Sequence, residues 1–239
     1  MTAATTTDPK LVPSALASTL TMASLTWKRM IRGRALWVSL AIAMLPIAYA
    51  GATGGGRGIA GDEIFLFEIL VAAVLAPMFV AASIGEEIED RTTTYLWSRP
   101  IPRWSIVVGK LVCLVPVTAA VAVGSWALAA QVAWHAWPAL RSCAALVVAV
   151  AALSVISAGV ATLAPRHGMA LTICYVLFFD SPLGVLPATL RELSVTHQVR
   201  ALSGIWPTEI GIQTPLIALA LLTLAWGSIA ALRIRKLEA

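Results

Sequence analysis

The sequence predicts an all-α integral membrane protein with six transmembrane helices and both termini on the cytoplasmic side. Hydrophobic residues make up 59% of the 239-residue chain and charged residues only 12%, about half the charged share of a soluble domain. Several apolar runs approach or exceed the ~20 residues that a helix needs to cross a ~30 Å hydrocarbon core. A soluble helical bundle does not need runs of this length, so the membrane class is favoured.

Charged breaks between the apolar runs define the predicted spans and their orientation. The spans cover residues 35–51, 63–84, 104–130, 142–164, 168–187 and 214–232. With the N-terminus inside, only four of the 17 Lys and Arg residues fall in outer segments: Arg57, Arg141, Arg191 and Arg200. Cytoplasmic loops are the ones that retain Lys and Arg. The net charge of +5 therefore indicates topology in a multi-pass cell (inner) membrane protein. It does not indicate a nucleic-acid partner, which would need a soluble basic face with aromatic stacking residues.

The N-terminal region divides into a tail and a helix. Residues 1–13 are rich in Thr and Ala and predict a flexible tail, whereas residues 14–34 predict an amphipathic helix. Leu16, Leu20 and Trp27 fall on one stripe of that helix, and several cations lie at its end. Such a helix suits the inner membrane surface. The alternative interpretation is that it lengthens the first span.

The fifth predicted span contains a polar interruption. Pro182 cannot donate a backbone hydrogen bond and disfavours helix at Ser181. We therefore expect one helix to stop near Phe179 and a second short helix to begin, capped by Asp180 or Ser181. Asp180, Ser181 and Pro182 are candidates for a substrate path or a hinge, because buried charge at membrane depth is costly and often functional. The alternative is that Asp180 only caps the second helix.

Other polar residues in or near the spans are weaker indicators of a functional site than Asp180. Glu68 is a second candidate for the substrate path or hinge, although it lies about one turn from the outer boundary and is expected to reach water. The three cysteines fall within predicted spans and lack the close spacing of a metal or redox motif. We expect no metal site and no catalytic residues. The outer segment 188–213 is too polar to cross the membrane and predicts short helices.

The most charged stretch of the chain, "EEIEDRTTTYLWSRPIPR", joins the second and third spans. Gly85 is expected to end the second span, and the carboxylates that follow favour the first turn of a new helix. That helix should stop before Pro100, which gives a short two-faced cytoplasmic helix at 86–99. A helix of this kind suits docking into a groove on a soluble partner. The candidate docking residues are Glu86, Glu87, Glu89, Asp90, Arg91, Thr92, Tyr95, Leu96, Arg99, Pro100 and Arg103.

This stretch and its continuation to Lys110 resemble the motif of type-2 ATP-binding-cassette (ABC) permeases. In that family a Glu-rich helix, a Thr, a Leu, a Pro, an Arg and a Gly-Lys pair lie between the second and third spans. The matching residues are Glu87, Glu89, Thr92, Leu96, Pro100, Arg103, Gly109 and Lys110. Arg91 stands where many members have Gly, so local packing is expected to differ. The six-span layout and the long outer segment before span six also match.

The resemblance implies a non-catalytic permease, an exporter whose ATP hydrolysis takes place on a separate subunit. It implies no cofactor on this chain, with ATP and Mg bound by the partner ATPase. Two ATPase subunits and a second permease copy, as a homodimer or a paralogous heterodimer, would complete the transporter in the bilayer. The segment 86–99 would be the coupling helix, with polar contacts from Glu87, Glu89, Arg91 and Arg99 and anchors at Tyr95 and Leu96. The alternative is that these charges form only a solvated face.

Three other functions remain open on the sequence. A secondary transporter driven by an ion gradient usually carries several intramembrane ionisable residues and internal repeats, and here only Asp180 qualifies. A membrane-embedded enzyme needs acid, base or nucleophile groups at a common depth, whereas the three His residues fall in separate loops. A permease-like subunit serving an envelope assembly or mechanical task is not distinguishable from an exporter by sequence.

Overall fold

The computed structural model describes residues 14–53, 61–89, 104–186, 189–205 and 211–236, and these residues form helices joined by short connections. The main helices are α1 (Ala15–Arg32), α2 (Ala35–Ala52), α3 (Gly61–Glu89), α4 (Trp104–Trp134), α5 (Leu140–Leu163), α6 (Gly168–Tyr175), α7 (Val195–Ser203) and α8 (Gln213–Lys236). The described part of the chain contains no strand. The all-α prediction is confirmed for these residues.

Five of these helices are long and apolar enough to cross a membrane. They are Ala35–Ala52, Gly61–Gly85, Trp104–Trp134, Leu140–Leu163 and Gln213–Ile234. Each coincides with one predicted span: the first, second, third, fourth and sixth. The chain is therefore a multi-pass membrane protein.

The fifth predicted span, 168–187, is a shorter helical run. Helix α6 continues without a stop as a π-helical turn, Val176–Asp180, and then as a last turn, Ser181–Leu183. The predicted helix end near Phe179 is wrong. The N–H of Ser181 donates to the carbonyl of Val176, five residues back, so the wider turn keeps the backbone helical just before Pro182. A π-turn inserted in this way is frequent at functional positions.

The core lies between α3 and α5. Within their membrane-crossing windows, 72% of α3 and 67% of α5 are buried, against 22% of α2 and 17% of α8. Phe65 on α3 meets Trp126 on α4 edge-on, with ring centroids 5.1 Å apart. The indole Nε1 of Trp126 donates to Ser142 Oγ on α5 at 3.0 Å, which satisfies its single polar group. Helices α2 and α8 thus lie at the periphery.

Helix α1 lies against α4 and leaves its apolar stripe exposed. Its N-terminus is capped by Ser14, whose Oγ accepts from the Ala17 N–H at 3.2 Å. Met22 and Met30 are buried against the protein, whereas Leu16, Leu20 and Trp27 are exposed. An amphipathic helix in the headgroup layer needs this division between a protein-facing side and an exposed apolar side.

Candidate functional site

The predicted coupling segment lies at the end of α3 and beyond it. Helix α3 continues through Gly85 to Glu89, so the prediction that Gly85 ends the helix is wrong. A Cβ on Gly85 would lie 2.7 Å from the Pro165 carbonyl oxygen, a distance that real Cβ atoms do not tolerate. The glycine is needed for the close passage of the α5–α6 connection and not for a left-handed cap.

Most candidate coupling residues fall outside the described part of the chain. The last turn of α3 includes the backbone of Glu86, Glu87 and Glu89, whereas the structure describes side chains of this helix only as far as Gly85. They therefore do not form the first turn of a new helix. The remaining candidates lie outside the described residues: Asp90, Arg91, Thr92, Tyr95, Leu96, Arg99, Pro100 and Arg103. Their coupling role stays a prediction.

Described residues on either side of this segment connect the helices that come before and after it. Lys110 on α4 is 2% exposed, and its Nζ donates to the carbonyl of Ser83 on α3 at 2.5 Å. One residue earlier, a Cβ on Gly109 would lie 2.7 Å from the Thr19 carbonyl oxygen and 2.8 Å from Met22 Cβ. The glycine thus lets α1 approach α4 closely, while the lysine ties α4 to α3. Together they join α1, α3 and α4 at the predicted inner end.

Buried lysine is rare and requires compensation, because an ammonium group loses much hydration in a low-dielectric interior. The hydrogen bond from Lys110 to Ser83 is one such compensation, and Lys110 makes a further interaction besides it. Ser83 lies two residues before Gly85 and therefore in the last turns of α3. A displacement of the α3 end would be transmitted to α4 through this ammonium group.

Asp180 is buried and caps a helix other than the predicted one. Its Oδ1 accepts from the Val195 N–H at 2.7 Å, and its Oδ2 accepts from the Thr196 N–H at 2.9 Å and the Thr196 hydroxyl at 2.6 Å. The Ser194 hydroxyl donates to the Asp180 carbonyl oxygen at 2.9 Å. The carboxylate thus satisfies the first N–H groups of α7 and lies at the positive end of its dipole. The expectation that Asp180 caps its own second half-helix is wrong.

The other two predicted residues of this turn stand nearer the surface. Ser181 is half-buried and Pro182 is exposed. Pro182 lies in the last turn of the helical run, Ser181–Leu183, directly after the π-helical turn. Asp180 therefore differs from its neighbours: it joins α6 to α7, whereas the other two shape the backbone.

Helix α7 is also held at its C-terminal end and along one side. Arg141 on α5 donates through Nε to the Leu202 carbonyl at 2.7 Å and through Nη2 to the Ala201 carbonyl at 3.3 Å. A cation at this end complements the helix dipole. Arg200 forms a bidentate ion pair with Asp62 on α3. We call these contacts, together with those of Asp180, the outer clamp.

His197 lies on α7 within the outer clamp and is half-buried. Burial, together with the positive charge of Arg191, lowers the pKa of His197 below its ordinary value. Its Nε2 is buried and has no hydrogen-bond partner among the described residues. The imidazole is therefore disfavoured as a cation in this position.

Glu68 on α3 is fully buried, contrary to the expectation that it reaches water. Its exposed fraction is 0%. Its Oε2 lies 3.0 Å from Ser125 Oγ on α4, and that hydroxyl lies 2.6 Å from the carbonyl oxygen of Ala43 on α2. Its Oε1 has no partner among the described residues. The carboxyl group therefore joins three helices at one point.

A groove of about 880 Å³ runs between α2 and α4 beside this point. Ala43 and Ser125 both line it, and most of the remaining lining is apolar. A Cβ on Gly124 would meet nothing within 4 Å, so the groove is open beside this residue. Trp27 and Trp37 line its other end, at the predicted inner surface where indole rings favour the headgroup layer. The groove has the size of a ligand pocket.

Sequence reasoning named Asp180 and Glu68 but missed three residues that contact α7 or Glu68: Arg141, Arg200 and Ser125. Arg141 and Arg200 stood only as outer-segment cations, and Ser125 carried no signal in an apolar span. One local signal existed for α7: Ser194 precedes "VTHQVR", and its Oγ accepts from the His197 N–H at 3.1 Å. A Ser followed by a polar periodic stretch is an N-cap pattern, which predicts a helix start able to receive a carboxylate.

Comparison with known proteins gives one family match. The family model described as "ABC-2 family transporter protein" matches residues 57–225, which include α3, α4, α5, α6 and α7 and the predicted coupling segment. No match was found among individual curated proteins. The match covers more than half of the chain and includes the motif residues from Glu87 to Lys110.

Proposed function

The chain belongs to the ABC-2 family of transporter proteins, and from this premise we propose that it is an exporter worked by ATP hydrolysis on a separate subunit. Membership makes it a membrane permease subunit of an ABC transporter, a class that partners with ABC ATPase subunits. The export direction, the coupling route and the composition of the complex are the proposal. The family match across the predicted coupling segment is the observation that carries it.

The bracing at the inner end supports the coupling route. Work delivered to the segment after α3 needs a stiff connection to the membrane helices, and Lys110 provides one by bonding the Ser83 carbonyl. Gly109 adds α1 to the same unit. We propose that Glu87, Glu89, Arg91 and Arg99 contact the ATPase, that Tyr95 and Leu96 anchor it, and that the three helices move together when nucleotide draws the ATPases together.

The proposed orientation has six spans with both termini in the cytoplasm. The continuous helical run from α6 to Leu183 would be the additional crossing, completed by the chain around it. This arrangement places the predicted coupling segment on the side where most Lys and Arg residues lie, in agreement with the positive-inside rule. It places the outer clamp on the opposite side. The membrane would be the cell (inner) membrane.

The proposed complex contains two permease copies, identical or paralogous, and two ATPase subunits that hold ATP and Mg. Export suits the groove between α2 and α4, since its tryptophan-lined end lies at the predicted inner surface. A substrate loaded there would leave towards the outer clamp. No cofactor is proposed on this chain itself.

Co-purification with the cognate soluble ATPase and vesicle transport assays test this proposal. We expect the wild-type chain to bind the ATPase and to move substrate only when ATP is present. The double variant Glu87→Lys/Glu89→Lys should lose ATPase stimulation and transport, because it reverses the charge offered to the partner. The matched control is Glu63→Lys, a carboxylate at the opposite end of the same helix that is exposed.

Two results would contradict the proposal. The first is transport by the purified chain without an ATPase. The second is a double variant that keeps both ATPase association and transport at the level of the Glu63→Lys control. In either case residues 86–99 would not be the coupling helix.

A further inference from the structure

Glu68 is an unusual residue for the interior of a membrane protein. It is fully buried seven residues after the start of α3, which places it about 10 Å along the helix at 1.5 Å per residue. An intramembrane carboxyl group is expensive unless it is paired or neutral, and such groups are commonly functional. The proposed coupling route does not use it.

The single hydroxyl hydrogen of Ser125 indicates whether the Glu68 carboxyl group is protonated. A serine hydroxyl has one hydrogen to donate. Its oxygen nevertheless lies 2.6 Å from the Ala43 carbonyl oxygen and 3.0 Å from Glu68 Oε2, both at hydrogen-bond distance. Two oxygens this close repel each other unless a hydrogen lies between them. Both contacts are satisfied only when Ser125 donates to Ala43 and Glu68 donates its own hydrogen to Ser125.

Among the described residues, no cation pairs with Glu68 in a way that would make this hydrogen unnecessary. On the helices around α3, Arg200 pairs with Asp62 and Arg141 donates to carbonyls at the end of α7. Lys110 bonds Ser83, fifteen residues further along α3. The phenol of Tyr49 on α2 belongs to a ring packed on Phe67. Within the described ranges, Glu68 makes no ion pair.

We propose that Glu68 is a proton-binding site and that its neutral carboxyl group latches α2 onto α3 and α4. Pro46 leaves the carbonyl of Ile42, four residues before it, without its helical partner, so α2 is weakened next to the Ala43 carbonyl that the latch holds. Ala43 and Ser125 also line the groove. When the groove widens, Ala43 and Ser125 move apart and the Glu68 carboxyl group is exposed to water. The O–H bond of Oε2 then breaks, a water molecule takes the proton, and Oε1, which has no partner among the described residues in the closed arrangement, accepts a hydrogen bond from water.

Infrared spectroscopy of the full chain in lipid nanodiscs at neutral pH tests the proton directly. The wild-type spectrum should contain a carbonyl-stretch band of a protonated carboxylic acid that Glu68→Gln lacks and that Glu63→Gln keeps. Glu63 is exposed on the same helix, which makes it the matched control. If the wild-type minus Glu68→Gln difference contains carboxylate bands alone, the proposal is overturned.

A second pair of variants tests the latch separately from the proton. Ser125→Ala removes the acceptor of the Glu68 hydrogen, so the acid band should move to higher frequency and amides of α2 near Ala43 should exchange at least tenfold faster. Glu68→Gln retains a donor on the same atom position and should leave exchange in α2 within twofold of wild type. An unmoved band in Ser125→Ala, or equal exchange in all variants, would refute the contact on which the latch depends.

Discussion

Replacement of Asp180 by alanine should release the first turn of α7 from α6. In the wild-type chain the carboxylate accepts two backbone N–H groups and one hydroxyl from Val195 and Thr196, at 2.6 to 2.9 Å. Both of those residues are buried, so water does not replace the lost acceptor without local opening. The expected consequence is a helix end that opens locally and no longer holds the outer clamp.

The size of the effect follows from the number and kind of bonds lost. A hydrogen bond to a charged group contributes about 1.5–3 kcal/mol, but the three bonds share one carboxylate and do not add fully. Ser194 still caps the helix through the His197 N–H. A loss of about 3 kcal/mol in the local opening free energy is therefore expected, which corresponds to roughly a hundredfold change in the opening equilibrium.

Hydrogen exchange in lipid nanodiscs measures this opening. Amides of α7 in Asp180→Ala should exchange about a hundredfold faster than in wild type, while amides of α5 keep their rates. Glu63→Gln, which alters an exposed carboxylate on the same predicted side, should leave α7 unchanged. Wild-type exchange in Asp180→Ala would refute the capping role. Lost transport with unchanged exchange would instead restore the substrate-path interpretation of Asp180.

Three further predictions concern other contacts. Gly109→Ala should weaken the packing of α1 on α4, because a Cβ there would lie 2.7 Å from a backbone oxygen, whereas a Cβ on Gly124 of the same helix meets nothing. Proteolysis of α1 should show that Gly109→Ala lowers the free energy of local opening by about 1–3 kcal/mol and that Gly124→Ala leaves it unchanged. Lys110→Met should keep ATPase binding but reduce transport per ATP, measured in proteoliposomes, because the bond to Ser83 is lost; a variant with unchanged coupling would argue against transmission through it. The pKa of His197 is lowered in the folded chain, so the folded chain binds this proton more weakly than the unfolded chain. The stability that is present above pH ~6.5 is therefore lost as the pH falls. Amide exchange in α7 should become faster on acidification, and the increase should be smaller in His197→Asn.

The membrane helices were predictable because they depend on local composition. Length and hydropathy alone place five of the six predicted spans within a few residues of a helix, as for Leu140–Leu163 against the predicted 142–164. The amphipathic α1 was likewise predictable, since a stripe such as Leu16 and Leu20 is a periodic signal. These features require no knowledge of which helix lies beside which.

The candidate sites depended on contacts between distant residues and were predicted less well. Glu68 lies 57 positions from Ser125 in sequence, and only the packing of α3 on α4 buries it. Asp180 found its donors on a helix that begins fifteen residues later, so its own neighbours were a poor guide. Gly85 is ambiguous in any sequence, because one glycine suits either a helix end or a close approach, and here the Pro165 carbonyl decides.

The central claim is that the segment after α3 faces the cytoplasm and receives a soluble ATPase. Thr93→Cys, in a background with Cys113, Cys143 and Cys174 replaced by serine, can be labelled with a membrane-impermeant maleimide. We predict labelling only in inside-out vesicles, with at least tenfold protection when the ATPase is bound. Labelling from the outer face, or labelling that the ATPase leaves unchanged, would contradict the account.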